Sequence, residues 1–327
     1  MLTRRHFLGG TCALSLGAAL AGRAFADANS GSRLLFGYPP GAVGSKLASA
    51  LLPMLAAQGG PSYHLENLDG RNTRVARDAA LHAAPDGSTL LQAISASMTL
   101  LPSVYKDTGF EATRDFAPLG CMGDFPYVLA VGPLVPASVG NLKQYLGWVN
   151  DNPEYRNVGI SIYGSIGHLA VRTLVADCDV PLRVQSYQGT TGLLSDLRSQ
   201  TLAAAFLAPG SGADIAPGAA IRALGVTSRQ RLMYWPQLPT LAEQGSPRMD
   251  FSAWFGWYCQ AATPAGTLHS LREAIARMQA SAPYADVLKH LLLTPANLDA
   301  EQISARLREE TAHYKTLVAG FQISKFD

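Results

Sequence analysis

Four short stretches of the chain place glycine, alanine and hydroxyl residues where an apolar run gives way to a helical pattern, and this is chemistry suited to holding an anion. Tyr38-Pro-Pro-Gly-Ala-Val-Gly44 has two prolines that stiffen the backbone, with Gly41, Ala42 and Gly44 small enough for a ligand to approach the main chain. Ser45 follows directly. Ser95-Ala-Ser97 supplies two hydroxyls, and Tyr163-Gly-Ser-Ile-Gly-His168 sets Gly164 and Ser165 at a helix start with His168 three residues on. Tyr187-Gln-Gly-Thr-Thr191 repeats the arrangement around Gly189. The first N–H groups of a helix have no intrahelical acceptor and sit at the positive end of its dipole, so such loops favour a carboxylate.

Each loop taken singly also has a plain structural reading. Ser165 reads equally as an ordinary N-cap, His168 as a satisfied structural histidine, and Gly41 with Ala42 as turn residues. The case for binding rests on their joint occurrence. Catalytic motifs are missing: the chain has no G-x-S-x-G elbow, no P-loop, no G-x-G-x-x-G after a strand and no H-E-x-x-H helix. Ser165 and His168 on one helical turn seldom reach the nucleophile and base geometry of a hydrolase, so a Ser165 hydrolase is the least favoured alternative and no enzyme is expected. Zinc is not expected either, because no Cys or His pair has ligand spacing, and no cofactor is implied.

Loops of this kind need strands and helices to aim them. Leu34 to Phe36 reads as a strand, followed by helical spacing at Leu47, Leu51, Met54 and Leu55. Ser62 to Glu66 and Thr89 to Ile94 read as strands flanking a helix over Val75 to Ala84. After the strand Tyr127 to Val131 the grammar restarts. Helices over Asn141–Val149, Ile166–Ala176 and Gly192–Ser199 alternate with strands over Val158–Ile162, Arg183–Ser186 and Ala203–Leu207. This predicts a second α/β unit, each with an open, mostly parallel sheet. Ile221–Val226 and Phe251–Gln260 read as further strands, and Leu268–Met278, Tyr284–Leu292 and Glu301–Phe321 as helices. Periodicity leaves open whether this tail forms a third domain or returns to the first.

A chain of 327 residues with 48% hydrophobic and 15% charged residues is long enough for two domains with real cores. Its first 26 residues hold Arg4, Arg5 and Arg23 and no acid, so their removal takes the formal charge from +2 to −1. Lys/Arg and Asp/Glu alternate without blocks, which excludes the basic face that nucleic acid needs. That segment reads as an export signal with an Ala24-Phe25-Ala26 cleavage site; Thr3 to Leu8 fits the twin-arginine pattern, a general secretory signal being the alternative. No later stretch approaches about 20 uncharged apolar residues, the length of a membrane span. Of the cysteines left, Cys121, Cys178 and Cys259 form no framework and read as free thiols.

Tyr38-Pro-Pro-Gly41, Glu66-Asn67 with Gly70, Ala84-Pro-Asp-Gly-Ser-Thr-Leu90, Asp115-Phe-Ala-Pro118, Gly164-Ser-Ile-Gly-His-Leu-Ala170, Tyr187-Gln-Gly189, Arg222 to Ser228, Leu238 to Gly245, Trp254-Phe-Gly256 and Pro264-Ala-Gly266 occur in order along nearly all of the chain after the signal. As a set they resemble the Bug or TctC-type periplasmic solute-binding proteins of tripartite tricarboxylate transporters. The resemblance implies an α/β, two-lobed, type II-like binding protein, two open sheets with the ligand cleft between lobes. The lobes would be Asp27–Pro126 plus Phe251–Asp327, and Tyr127–Asp250. It also implies a periplasmic, monomeric protein that captures a small organic carboxylate for membrane permease subunits, or for a signalling partner. Carried over, ligand contacts fall to Gly41 and Ala42 in one lobe and to Gly164, Ser165, His168 and Gly189 in the other, with Ser45, Ser95 and Ser97 as additional candidates.

The chain departs from the family's pattern near the cleft. Ala42 stands where a second glycine is common, Ser45 where an aspartate is common, and Arg71-Asn-Thr-Arg74 replaces a glycine-rich loop. With Lys46 nearby, the cleft has lost an acid and gained cations, so a non-amino mono- or dicarboxylate is expected in preference to an amino acid. The alternative is that Lys46, Arg71 and Arg74 simply face solvent.

Overall fold

Leu34, Leu35 and Phe36 have no polar face to offer water, and in the computed structural model, which describes residues 31–210, 215 and 218–326, they form the interior of a buried strand. The export signal expected over 1–26 lies outside the described residues. Lobe 1 contains strands β1 (Arg33–Phe36), β2 (His64–Asn67), β3 (Thr89–Ile94) and β4 (Phe116–Pro126). Its helices are α1 (Val43–Ala57), α2 (Arg74–Leu81) and the short α3 (Ser95–Thr99), α4 (Leu101–Val104) and α5 (Ala112–Asp115). Lobe 2 follows with β5 (Val128–Val131), α6 (Leu142–Asp151), β6 (Asn157–Ile160), α7 (Ile166–Cys178), β7 (Arg183–Ser186), α8 (Thr190–Arg198), β8 (Ala204–Leu207) and β9 (Arg222–Val226). The chain then returns: β10 (Ser252–Gln260) joins the first sheet, and α9 (Ala265–Gln279), α10 (Ala282–His290) and α11 (Ala300–Gly320) complete lobe 1.

Among the described residues the strands form two five-stranded sheets of one topology, ordered β2-β1-β3-β10-β4 and β7-β6-β8-β5-β9. The sheets are mixed rather than mostly parallel. β1 pairs parallel with β2 and β3, and β6 with β7 and β8, whereas β10 and β5 run antiparallel to both of their neighbours. The crossovers explain this. A strand arriving from the other lobe enters at the end where the parallel strands leave, and must run against them. The sequence pattern also misses β4, whose Pro118, Gly120, Gly123 and Pro126 look like loop residues; it is an edge strand, where proline removes no needed ladder bond.

The crossovers meet at one threonine. The Tyr127 N–H donates to Thr227 Oγ1 (2.9 Å), and that hydroxyl donates to the Phe251 carbonyl (2.7 Å). The Thr227 N–H donates to the Tyr127 carbonyl and the Phe251 N–H to the Thr227 carbonyl, both at 2.9 Å. Thr227 is fully buried. From this joint an aromatic column runs toward the first cleft loop: Tyr127 against Phe125 (5.7 Å between ring centroids), Phe125 stacked on Phe255 (4.9 Å), Phe255 edge-on to Phe36 (6.3 Å), and Phe36 against Tyr38 (5.1 Å). The loop that begins at Tyr38 is thereby tied to the hinge.

Cys121, Cys178 and Cys259 are free thiols. Among the described residues no helix is long and apolar enough to cross a membrane.

Thr227→Val keeps the shape but strands a buried N–H and a buried carbonyl. A loss of about 1–3 kcal/mol in urea unfolding is expected, and a change within error would show that the hydroxyl does not join the crossovers.

Candidate functional site

Gly164 ends the β6–α7 loop with φ +74, and a Cβ there would lie 2.7 Å from Val104 Cγ2 of lobe 1. Glycine is required both by the left-handed backbone and by the approach of the lobes. The next residue, Ser165, occupies the N-cap position of the 13-residue helix α7 in extended geometry, yet its hydroxyl makes no capping bond. The Ser165 hydroxyl is buried with no hydrogen-bond partner at all, and one turn on, His168 Nδ1 is in the same state. Buried polar groups are nearly always paired, and these two unpaired atoms lie within one turn of each other at a helix start. Burial, with the nearby Arg172 guanidinium adding to it, lowers the His168 pKa from 6.5 to about 4, which keeps the ring neutral at physiological pH.

Aromatic rings roof this corner. Tyr163 lies 4.3 Å from the His168 ring and meets Phe326, from the end of the chain, edge-on at 4.5 Å. Asn72 of lobe 1 donates to the Tyr163 carbonyl and to the Tyr105 hydroxyl, both at 2.8 Å, and Arg172 donates to the Phe321 carbonyl at 3.0 Å. The lobes are in contact around the site. Gly189 (φ +88), just before α8, adds a further contact, since a Cβ there would lie 3.1 Å from Pro39 Cδ.

On the lobe 1 side, Gly41 (φ +87) is exposed and Ala42 is the N-cap of α1. With Lys46 they border a gap of about 200 Å³ whose far wall is Thr190, Thr191 and Arg198 of lobe 2. Ser45 is buried, accepts from Asn67 Nδ2 at 2.7 Å and donates to the Pro39 carbonyl at 3.3 Å, so its hydroxyl holds the loop. Ser95 is fully buried with Oγ 3.4 Å from the Trp254 N–H, turned toward its own sheet. Ser97 accepts from Thr73 Oγ1 at 3.1 Å. A smaller gap of about 20 Å³ lies between Tyr38, Pro39, Asn72 and Thr73 of lobe 1 and Ser161 and Gln188 of lobe 2. The structure thus brings Gly164, Ser165 and His168 together, sets Gly41, Ala42 and Gly189 along the neighbouring lobe contact, and puts Ser45, Ser95 and Ser97 in supporting bonds.

The cations named from sequence lie on the rim. Lys46 is exposed, the Arg71 side chain is 63% exposed and 3.5 Å from Asp78, and Arg74 lies over the Tyr105 ring at 4.1 Å. Arg71, Asn72 and Thr73 are three successive non-glycine residues at positive φ (46, 58 and 68°). That conformation costs roughly 1 kcal/mol per residue and is held by the Asn72 and Thr73 side-chain bonds. Two residues escaped the sequence reading: Asn72, which clamps the lobes, and Arg77, which is buried on the Ala76 and Ala80 face of α2. A charged residue on an otherwise apolar helix stripe was the available signal for Arg77.

Chemically, the corner offers hydrogen-bond donors from a hydroxyl, a neutral imidazole and the first turn of a helix. Ser165 Oγ and His168 Nδ1 do not bond each other, since neither has a partner, so the nucleophile and base contact of a hydrolase is not formed. Among the described residues no group of three or more His, Cys, Asp or Glu side chains could hold a metal ion.

The family model for the tripartite tricarboxylate transporter family receptor matches residues 55–322. A UPF0065 protein of Bordetella pertussis is 23% identical over 278 residues, 85% of this chain and 85% of its own. Among solved structures, the periplasmic binding protein BugD has a TM-score of 0.83 at 21% identity, covering 90% of this chain and 98% of its own. R. palustris Rpa4515 with adipate has a TM-score of 0.84 at 21% identity, covering 92% and 100%. At those identities the structural likeness establishes the fold.

The His168 shift fixes a pH dependence. A base whose pKa falls on folding binds its proton less well in the native state, so its stabilising effect is complete above about pH 6.5 and is lost as pH drops toward 4. An imidazole NMR titration is expected to place His168 near 4, and His168→Gln should flatten the stability profile over that window. An ordinary midpoint near 6.5 would contradict the enclosure of the ring.

Proposed function

The chain belongs to the tripartite tricarboxylate transporter family of receptors, and from that membership we propose that it is a periplasmic receptor capturing a small non-amino mono- or dicarboxylate. It passes this acid to membrane permease subunits. The observation that carries the reading is the pair of buried, unpartnered polar atoms, Ser165 Oγ and His168 Nδ1, at the start of α7. A carboxylate accepts from the hydroxyl, from the protonated Nδ1 of the neutral ring and from free N–H groups of the first helical turn, and the dipole favours its charge. Charge-assisted bonds of this type are roughly twice as strong as neutral ones, and burial between lobes keeps competing water away.

Fold similarity to BugD and to an adipate-bound protein supports this reading. The preference against amino acids rests on Ser45 alone, since Asp69 also lines the smaller gap between the lobes. An ammonium group needs a carboxylate partner, and the position where the family commonly has aspartate is Ser45, whose hydroxyl is already bonded to Asn67 and Pro39. The family supports transport over the signalling alternative, and the unformed Ser165 to His168 contact gives hydrolysis no support.

Calorimetry with acetate, succinate, adipate, aspartate and glutamate tests both parts of the proposal. Succinate-like acids are expected to bind more tightly than their amino counterparts, and the reverse order would reject the preference. Ser165→Ala is expected to weaken the bound acid by about 1–3 kcal/mol, roughly 5- to 150-fold, and an unchanged affinity would remove Ser165 from the site.

A further inference from the structure

The residues that follow α11 lie across the boundary between the lobes. Gln322, at φ +51, takes the left-handed position that ends a helix, and the Ile323 N–H donates back to the Val318 carbonyl at 3.0 Å. The backbone is thereby turned off the helix axis toward the end of α4, where Phe326 forms a parallel bridge with Tyr105. The Phe326 N–H donates to the Val104 carbonyl and the Phe326 carbonyl accepts from the Lys106 N–H, both at 2.9 Å. These backbone partners all belong to lobe 1.

Two groups of the same segment reach lobe 2. The Phe326 ring meets the Tyr163 ring edge-on at 4.5 Å, and the Phe321 carbonyl accepts from Arg172 at 3.0 Å. Tyr163 stands just before α7 and Arg172 in its second turn, so the two ties bracket Ser165 and His168 along the chain. Phe326 also lies against Tyr105, with ring centroids 5.9 Å apart, and the Tyr105 hydroxyl accepts from Asn72, the residue that donates to the Tyr163 carbonyl. Phe326 is nonetheless 38% exposed, so burial in the core does not account for its place.

We infer that residues 321–326 form a strap that holds the start of α7 against lobe 1, with Phe326 as a positioning residue for the site at Ser165 and His168. Parting the lobes must separate Phe326 from Tyr163 and Phe321 from Arg172, whereas the backbone bonds of the strap to Val104 and Lys106 can persist. Contacts made when the lobes meet and lost when they part shift the balance toward closure, and an acid enclosed between the lobes gains affinity from that shift. The gain in affinity rests on the receptor reading above. The hold on α7 does not.

Hydrogen exchange without ligand and calorimetry with succinate and adipate test these two parts separately on the whole protein. In Phe326→Ala the amides of residues 163–169 are expected to exchange at least about threefold faster, with those of β3 and the urea midpoint unchanged. Both acids are expected to bind about 3- to 10-fold more weakly, the worth of one aromatic pair. Phe326→Trp, which keeps a ring against Tyr163, is expected to restore both measurements. Exchange over 163–169 that stays at the parent rate overturns the strap, and faster exchange with unchanged affinity overturns the positioning role. Should Phe326→Ala lower the urea midpoint or fail to fold, Arg172→Gln cuts the other tie and leaves the ring in place, and parent-like exchange there overturns the strap. If the parent protein binds neither acid, the receptor reading falls and the exchange result alone decides the strap.

Discussion

Burying a polar group without a hydrogen bond costs about 1–3 kcal/mol, and the corner at α7 does so twice within four residues, at Ser165 and His168. The remaining architecture can be understood as what makes that tolerable. Gly164 lets the loop turn against Val104, Tyr163 lies against the ring of His168 and itself meets Phe326, and Asn72 pins the loop from the other lobe. The site is polar where an acid would lie and apolar around it, the combination that makes a few donors count.

Positioning comes from shared topology. Both sheets send their parallel strands toward the lobe contact, so the loops after β1, β6 and β7 converge there, and helix starts follow β1, β6 and β7 directly or within a few residues. The crossovers are knotted at Thr227 by four hydrogen bonds of 2.7–2.9 Å, and the aromatic column carries that fixed point to Tyr38. A hydrogen-bonded joint between two lobes is the arrangement in which binding and closure are coupled.

Much of this was legible in the sequence because the strands are short apolar runs and the helices are amphipathic. Thr89–Ile94 and Arg183–Ser186 have the bounds that patterning gives them. β4 was hidden because its prolines and glycines obey the rules of an edge strand, which a single chain read in order does not reveal. The antiparallel returns were hidden because pairing direction follows from where the crossovers enter. At the site, residue types and spacing picked out Ser165 and His168 but could not say whether the hydroxyl caps its helix or is left free. Sequence likewise could not show that Ser45 and Ser97 spend their hydroxyls on neighbouring loops, or that Arg77 is enclosed by the wall of Tyr38 and Thr73.

A crystal structure of the protein soaked with or grown in a dicarboxylate addresses the central point most directly. One carboxylate is expected within about 3 Å of both Ser165 Oγ and His168 Nδ1, enclosed by residues of both lobes. An acid bound elsewhere, with those two atoms still surrounded by protein alone, would contradict it.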